Sequence, residues 1–130
     1  MSGILYVALG GALGASGRYG LGLFVDRLSG SSFPYGTISA NILGSFAMGI
    51  LVAWLAGRGI SGGAGSETAR LFIGVGLLGG FTTFSSFSLD AMNLLRDKGM
   101  TPFLSYVLIS VIVSLLAIAA GLWLARKVIG

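Results

Sequence analysis

A polar, glycine-containing stretch interrupts an uncharged run of 19 residues, Leu71 to Leu89. The interruption reads Gly-Gly-Phe-Thr-Thr-Phe-Ser-Ser-Phe-Ser and covers residues 79–88. The whole run approaches the ~20 residues that cross a bilayer as one helix. Irregular backbone at membrane depth is tolerated only where protein, water or an ion satisfies its polar groups. The stretch therefore predicts a broken membrane helix, and its crowded Gly and Thr residues favour a binding site over a packing kink.

Composition extends the membrane assignment to the whole chain. Hydrophobic residues make up 55% of it and charged residues 9%, whereas soluble domains carry roughly 25% charged residues. The apolar runs predict a single all-α membrane domain over residues 1–130 with four transmembrane helices. We place them at about residues 3–25, 36–56, 67–96 and 102–125, with the third broken at residues 79–83. The first run lacks the basic start of a secretory signal, so we expect it to be retained.

The ionisable residues exclude several function classes. The chain has no histidine or cysteine, and its four carboxylates lie at or near predicted helix ends. Without a catalytic dyad or a metal cluster, we predict that it is not an enzyme. A proton-coupled exporter of small cations needs a carboxylate at mid-membrane, where the first helix offers Arg18 instead. The net charge of +4 is spread in ones and twos, which favours lipid head groups over nucleic acid as partners.

Polar side chains recur every four residues on two predicted helices, and each set shares one helix face. The sets are Thr37, Asn41 and Ser45 on the second helix and Tyr106, Ser110 and Ser114 on the fourth. An unpaired amide in lipid costs several kcal/mol, so Asn41 must face protein, water or a ligand. Both an interhelical hydrogen bond and a contact with a ligand would satisfy the Asn41 amide. Serine can bond to its own helix backbone but tyrosine cannot, so Tyr106 favours a polar pathway.

Three phenylalanines stand in the broken stretch, at positions 81, 84 and 87. The edge of a phenyl ring is partly positive, so ring edges with amide and hydroxyl donors can replace water around a small anion. Core packing is the plain alternative for Phe84 and Phe87, which share a face. Arg18, inside the first helix, fits snorkelling, a structural anchor or attraction of an anion.

The basic residues are almost evenly divided between the two sides of the membrane. Four lie on the side of the N-terminus and three on the other, namely Arg58, Arg70, Arg126 and Lys127 against Arg27, Arg96 and Lys98. An excess of Lys and Arg on one side is what sets the orientation of a membrane protein. The near balance therefore predicts insertion in both orientations and an antiparallel homodimer.

Three segments together resemble the Fluc (CrcB) family of fluoride channels. They are Gly-Ala-Ser-Gly-Arg-Tyr at 14–19, Gly-Thr-Ile-Ser-Ala-Asn-Ile-Leu-Gly-Ser-Phe at 36–46, and the broken stretch at 79–88. The resemblance runs in order along essentially the whole chain. It implies passive export of fluoride across a bacterial inner membrane, which relieves fluoride toxicity. It also implies a dual-topology homodimer with two pores and a structural sodium ion at its centre.

The resemblance also assigns roles to individual residues. It makes Asn41 a pore donor and makes Phe84 and Phe87 the ring edges that fluoride passes. It adds further residues to the pore and its vestibule, namely Thr37, Tyr106, Ser110, Ser114 and, near the vestibule, Arg18. Backbone carbonyls of Gly79 and Thr82 from both subunits would hold the sodium ion. The rival hypotheses are the cation exporter and a membrane interaction subunit without transport.

Overall fold

All secondary structure is helical in the computed structural model, which describes residues 2–57 and 64–129. The helices are α1 (Ser2–Ser29), α2 (Tyr35–Gly57), α3 (Ala64–Ala69), a π-helical segment (Arg70–Leu78), α4 (Gly79–Phe81), α5 (Ser85–Lys98) and α6 (Met100–Ile129). The predicted all-α fold is confirmed. The linker predicted around Arg58 lies outside the described residues.

Three helical stretches in the described ranges are long and apolar enough to cross a membrane. They are Tyr35–Gly57, Gly65–Lys98 and Met100–Ile129, of which the second combines α3 to α5 with the π-helical segment. Helix α1 is 28 residues long, but its glycines and Arg18 make it less apolar than these three. Length and composition thus support three of the four predicted spans, and α1 packs against them.

Helices α2 and α6 pack backbone against backbone through two glycines. A Cβ atom added at Gly49 would run into the carbonyl oxygen of Ile118, and one added at Gly121 would run into that of Phe46. Both glycines are buried. Small residues at such positions let membrane helices approach closely, where dispersion contacts hold them together. The contact brings the polar face of α2 next to the hydroxyl stripe of α6.

Glycines also seat α1 against the segment that leads to the interruption. A Cβ at Gly10 would meet the Phe72 carbonyl oxygen, and one at Gly14 would meet the Leu77 carbonyl oxygen. One at Gly80 would lie 2.7 Å from the carbonyl oxygen of Gly11. The close approach expected from the small residues of α1 is therefore present, and it fixes the helix that ends at Phe81.

The helical backbone stops after Phe81 and starts again at Ser85. Thr82 is extended, with φ −85° and ψ 158°, and Phe84 immediately precedes α5. The sequence predicted non-helical backbone at residues 79–83, and for Gly79, Gly80 and Phe81 that is wrong because all three belong to α4. Glycine in a helix costs ~0.5–1 kcal/mol relative to alanine, but the missing side chain of Gly80 permits its close contact with α1.

Candidate functional site

An open cleft of about 330 Å³ lies where α2, α6 and the non-helical connection meet. Helix α2 lines it with Asn41, Gly44, Ser45 and Met48, and α6 lines it with Ser110, Val111, Ser114 and Ile118. The connection contributes Thr82, Thr83 and Phe84, and α5 contributes Phe87. Five of the residues predicted for a pore line it, namely Asn41, Phe84, Phe87, Ser110 and Ser114. No charged side chain is among the described residues of its lining.

Asn41 ties α2 to the connection by exchanging two hydrogen bonds with Thr83. Its Nδ2 donates to the Thr83 carbonyl oxygen at 3.0 Å, and the Thr83 amide donates to its Oδ1 at 2.7 Å. In a continuing α-helix that amide would donate to the carbonyl of Gly79. The Asn41 side chain thus replaces the next helical bond and stabilises the end of α4. Its second amide hydrogen is left for the cleft, so an interhelical bond and a ligand contact are compatible.

The two threonines of the connection use their hydroxyls on their own backbone. Thr82 Oγ1 donates to the Leu78 carbonyl oxygen at 3.0 Å. Thr83 Oγ1 accepts from the Ser86 amide at 3.0 Å, which satisfies one of the free amides at the start of α5. These local bonds close one helix and open the next, because threonine hydroxyls compete well with helical bonding at such positions.

The two pore phenylalanines meet but differ in environment. The ring centroids of Phe84 and Phe87 are 5.5 Å apart, with an interplanar angle of 51°. Phe87 is buried and packs on the ring of Tyr106 at 5.3 Å. Phe84 is 77% exposed in the single chain. One ring is therefore fixed by the core of the bundle, and the other projects from the open side of the cleft.

The hydroxyls of Ser110 and Ser114 are buried and have no hydrogen-bond partner among the described residues. Serine on a helix can bond to the carbonyl four residues earlier, as Ser88 does to Phe84 at 2.9 Å. Ser110 and Ser114 do not make that bond, although a buried hydroxyl without a partner costs ~1–3 kcal/mol. Two unsatisfied hydroxyls facing one cleft indicate that it holds water or a ligand.

Asp90 is the polar residue that sequence reasoning missed. Its Oδ2 accepts hydrogen bonds from Thr37 Oγ1 at 2.7 Å and from Tyr106 OH at 3.2 Å. These two predicted pore residues therefore meet at Asp90 rather than in the cleft. The sequence places all four carboxylates at or near predicted helix ends, and the structure shows that Asp90 is half-buried in α5. Its position three residues after Phe87, on one helix face, is the signal that could have found it.

Asp90 also lines a smaller cavity of about 150 Å³ with polar residues of the loop before α2 and of α5, including Ser32, Asn93, Asp97 and Lys98. From the sequence, the absence of a carboxylate at mid-membrane speaks against a cation exporter. Asp90 does not overturn this, because the cavity that Asp90 lines is formed by the loop before α2 and the end of α5. The choice between the two transporter types then depends on kinship and on the uncharged lining of the cleft.

Comparison with known proteins settles the kinship. A family model described as CrcB-like protein, Camphor Resistance (CrcB), matches residues 5–122. The chain belongs to the CrcB family. Several relatives are named fluoride-specific ion channel FluC. The Phenylobacterium zucineum relative is 49% identical over 128 residues and the Caulobacter vibrioides relative 45%, each alignment covering 98% of both chains. The relative from Paracoccus denitrificans is 50% identical over 122 residues, covering 94% of this chain and 93% of its own.

Membership of the CrcB family confirms two predictions. The resemblance drawn from the three sequence segments is correct, and the prediction that the chain is not an enzyme is confirmed by the kind of protein its relatives are named as. Together with the three apolar spans, it makes the chain a multi-pass membrane protein. Family membership does not test the roles predicted for individual residues.

Arg18 reaches the interruption in this CrcB-family chain. Its Nε donates to the carbonyl oxygen of Gly80 at 3.3 Å, and its side chain is partly buried. In a continuing helix that carbonyl would accept from the amide four residues on. Of the roles considered for Arg18, the structural anchor is the one with a visible contact. It holds α1 against the last turn of α4.

The carbonyls proposed for sodium suit a hard cation. The carbonyl of Gly79 is not used by the Thr83 amide, which bonds to Asn41 instead, and Gly79 is exposed. Thr82 is extended, so its carbonyl leaves the helical ladder. Within the described ranges, no group of three or more acidic, histidine or cysteine side chains could hold a metal. Unwound carbonyls and the C-terminal ends of broken helices are known to coordinate sodium within a membrane. The extended Thr82 fits the first role and Gly79, in the short helix that ends at Phe81, fits the second.

Proposed function

We propose that this chain is a passive, fluoride-selective channel that exports fluoride across the bacterial inner membrane and so relieves its toxicity. The observation that carries the proposal is the pair of buried, unpartnered hydroxyls of Ser110 and Ser114 in a cleft shared with Asn41. The relatives named fluoride-specific ion channels support the choice of ion. Thr37 and Tyr106 bond to Asp90 outside the cleft, so their place in the pore rests on the family resemblance alone.

The chemistry of the cleft suits a small, strongly hydrated anion. Such an ion enters a narrow pore only if fixed donors replace its water. The free amide hydrogen of Asn41, the two serine hydroxyls and the ring edges of Phe84 and Phe87 are donors of this kind. Because no charge lines the described part of the cleft, binding stays weak enough for the ion to leave.

The assembly that we propose is an antiparallel, dual-topology homodimer with two pores. Phe84 is 77% exposed beside an open cleft, so a second subunit would complete the wall. In this arrangement α1 is the fourth span, and residues 82–84 are the break in the third. The break comes next to its counterpart in the inverted partner, where carbonyls of Gly79 and Thr82 from both subunits hold a structural sodium ion.

Fluoride efflux from liposomes tests the proposed transport. We expect purified protein in fluoride-loaded vesicles to release fluoride rapidly once an ionophore shunts the membrane potential. Vesicles loaded with chloride should release their anion far more slowly, because chloride is too large for the narrow pore. Protein-free vesicles are the control. Efflux no faster than from these vesicles would refute the proposal, whereas efflux that needs a proton gradient would favour a coupled exporter.

Two substitutions at the break test carbonyl ligation of sodium. Thr82→Ala leaves the carbonyl in place and should leave the dimer largely intact. Gly79→Val should disrupt the dimer, although within one subunit a Cβ at Gly79 makes only an ordinary contact, 3.6 Å from the Gly74 carbonyl oxygen. Dimer fractions measured in sodium and in a bulky organic cation provide the comparison. Equal damage from the two variants, or dimers indifferent to the cation, would speak against the site.

A further inference from the structure

Five hydroxyls line the cleft, and their hydrogen bonds divide them into two groups. The five are Ser45, Thr82, Thr83, Ser110 and Ser114. The Thr82 hydroxyl is bonded to the Leu78 carbonyl, and the Thr83 hydroxyl is bonded to the Ser86 amide and lies 3.3 Å from the Ser85 hydroxyl. These two serve the backbone of the connection. The three serines are left as the hydroxyls that can face an occupant of the cleft.

The three serines stand on opposite walls. Ser110 and Ser114 are one turn apart on α6, and Ser110 is only 5% exposed although its hydroxyl has no partner in the described part of the chain. Ser45 is on α2, one turn after Asn41 and on the same face. One turn further, the buried Gly49 brings the two helix backbones into contact. The two walls therefore converge one turn beyond Ser45, at the contact between the backbones of α2 and α6.

We propose that Ser45 is a further anion ligand and that it completes, with Ser110 and Ser114, a second binding position for a small dehydrated anion. This inference rests on the proposed fluoride channel. Three hydroxyls from two facing helices offer three donors, and the neighbouring Met48 and Ile118 keep the position apolar around them. It lies one helical turn beyond Asn41 along α2. Conduction through several weak sites in series lets each ion displace the next, and a second position provides this.

Alanine and threonine at position 45 test the ligand. Ser45→Ala should lower fluoride efflux by about tenfold, since losing one hydrogen bond to a charged ion costs ~1.5 kcal/mol and a factor of ten is ~1.4 kcal/mol. Ser45→Thr keeps the hydroxyl and should keep most of the efflux. Ser39→Ala is the matched control, because Ser39 belongs to α2 but does not line the cleft. Efflux from Ser45→Ala at the wild-type rate, with wild-type channels active, overturns the inference and leaves the channel itself standing.

A single introduced thiol provides a readout that does not depend on conduction. The chain has no cysteine, so Ser45→Cys has one reactive group. Fluoride should slow its modification by a small, water-soluble thiol reagent, by about threefold at a concentration near twice the dissociation constant. Ser2→Cys, exposed at the first residue of α1, should be modified at a rate that fluoride does not change. Unprotected modification of Ser45→Cys overturns the inference, even if Ser45→Ala fails to assemble; inactive wild-type channels would instead refute the proposed function.

Discussion

Replacing Gly14 by valine should abolish the accumulation of folded protein. A Cβ at this position would run into the carbonyl oxygen of Leu77 and would lie 2.9 Å from the amide nitrogen of Phe81. Both are backbone atoms of helices that are fixed on their other sides, so no rotamer change relieves the clash. Helix α1 would have to leave its seat against the π-helical segment and α4. We expect the free energy of unfolding to fall by about 4 kcal/mol or more, as in the most severe cases of overpacking.

The matched control lies on the same helix. A Cβ at Gly20 meets nothing within 4 Å, so Gly20→Val should accumulate like the wild type, and the change from glycine to valine alters the helix propensity equally at both positions. The measurement is the yield of monodisperse protein after extraction in a mild detergent. If both variants behave alike, α1 does not depend on its glycines for packing.

The helices were predictable from sequence, but their ends were not. Uncharged runs predicted four helices, and three helical stretches in the described ranges are long and apolar enough to span a membrane. Helix α1 continues to Ser29 and α6 to Ile129, beyond the predicted ends near residues 25 and 125. Arg27 and Arg126 do not end these helices, because a charged side chain in the aqueous interface leaves the helical hydrogen bonds of the backbone intact. Hydropathy shows where the chain passes from lipid to water. A helix ends where other hydrogen bonds replace those of its backbone.

Contacts that are distant in sequence explain the other differences. The stretch 79–88 was recognisable by its glycines and hydroxyls, but the end of α4 depends on Asn41, which is 42 positions from Thr83. The role of Asp90 depends on Thr37, 53 positions away, and on Tyr106. Periodicity along one helix shows which side chains share a face. It does not show which face of another helix they meet.

Asn41→Ala should lower fluoride efflux by about a hundredfold or more, because two effects combine. The first is the loss of the amide hydrogen that faces the cleft. The second is the loss of both bonds to Thr83, at 3.0 and 2.7 Å. The Thr83 amide is then free to bond the Gly79 carbonyl, as in a continuing α-helix. That bond would extend α4 through the connection and rotate Phe84 and Phe87 away from their present positions.

Asn41→Asp separates the two effects. The carboxylate keeps an acceptor for the Thr83 amide, so the end of α4 and the thermal stability should stay closer to the wild type than in Asn41→Ala. Efflux should nevertheless collapse, since a negative charge in an otherwise uncharged cleft repels an anion. Efflux in vesicles and thermal unfolding in detergent are measured on the same preparations. If Asn41→Ala conducts at the wild-type rate, Asn41 neither shapes the break nor supplies a donor, because either role alone would slow the ion.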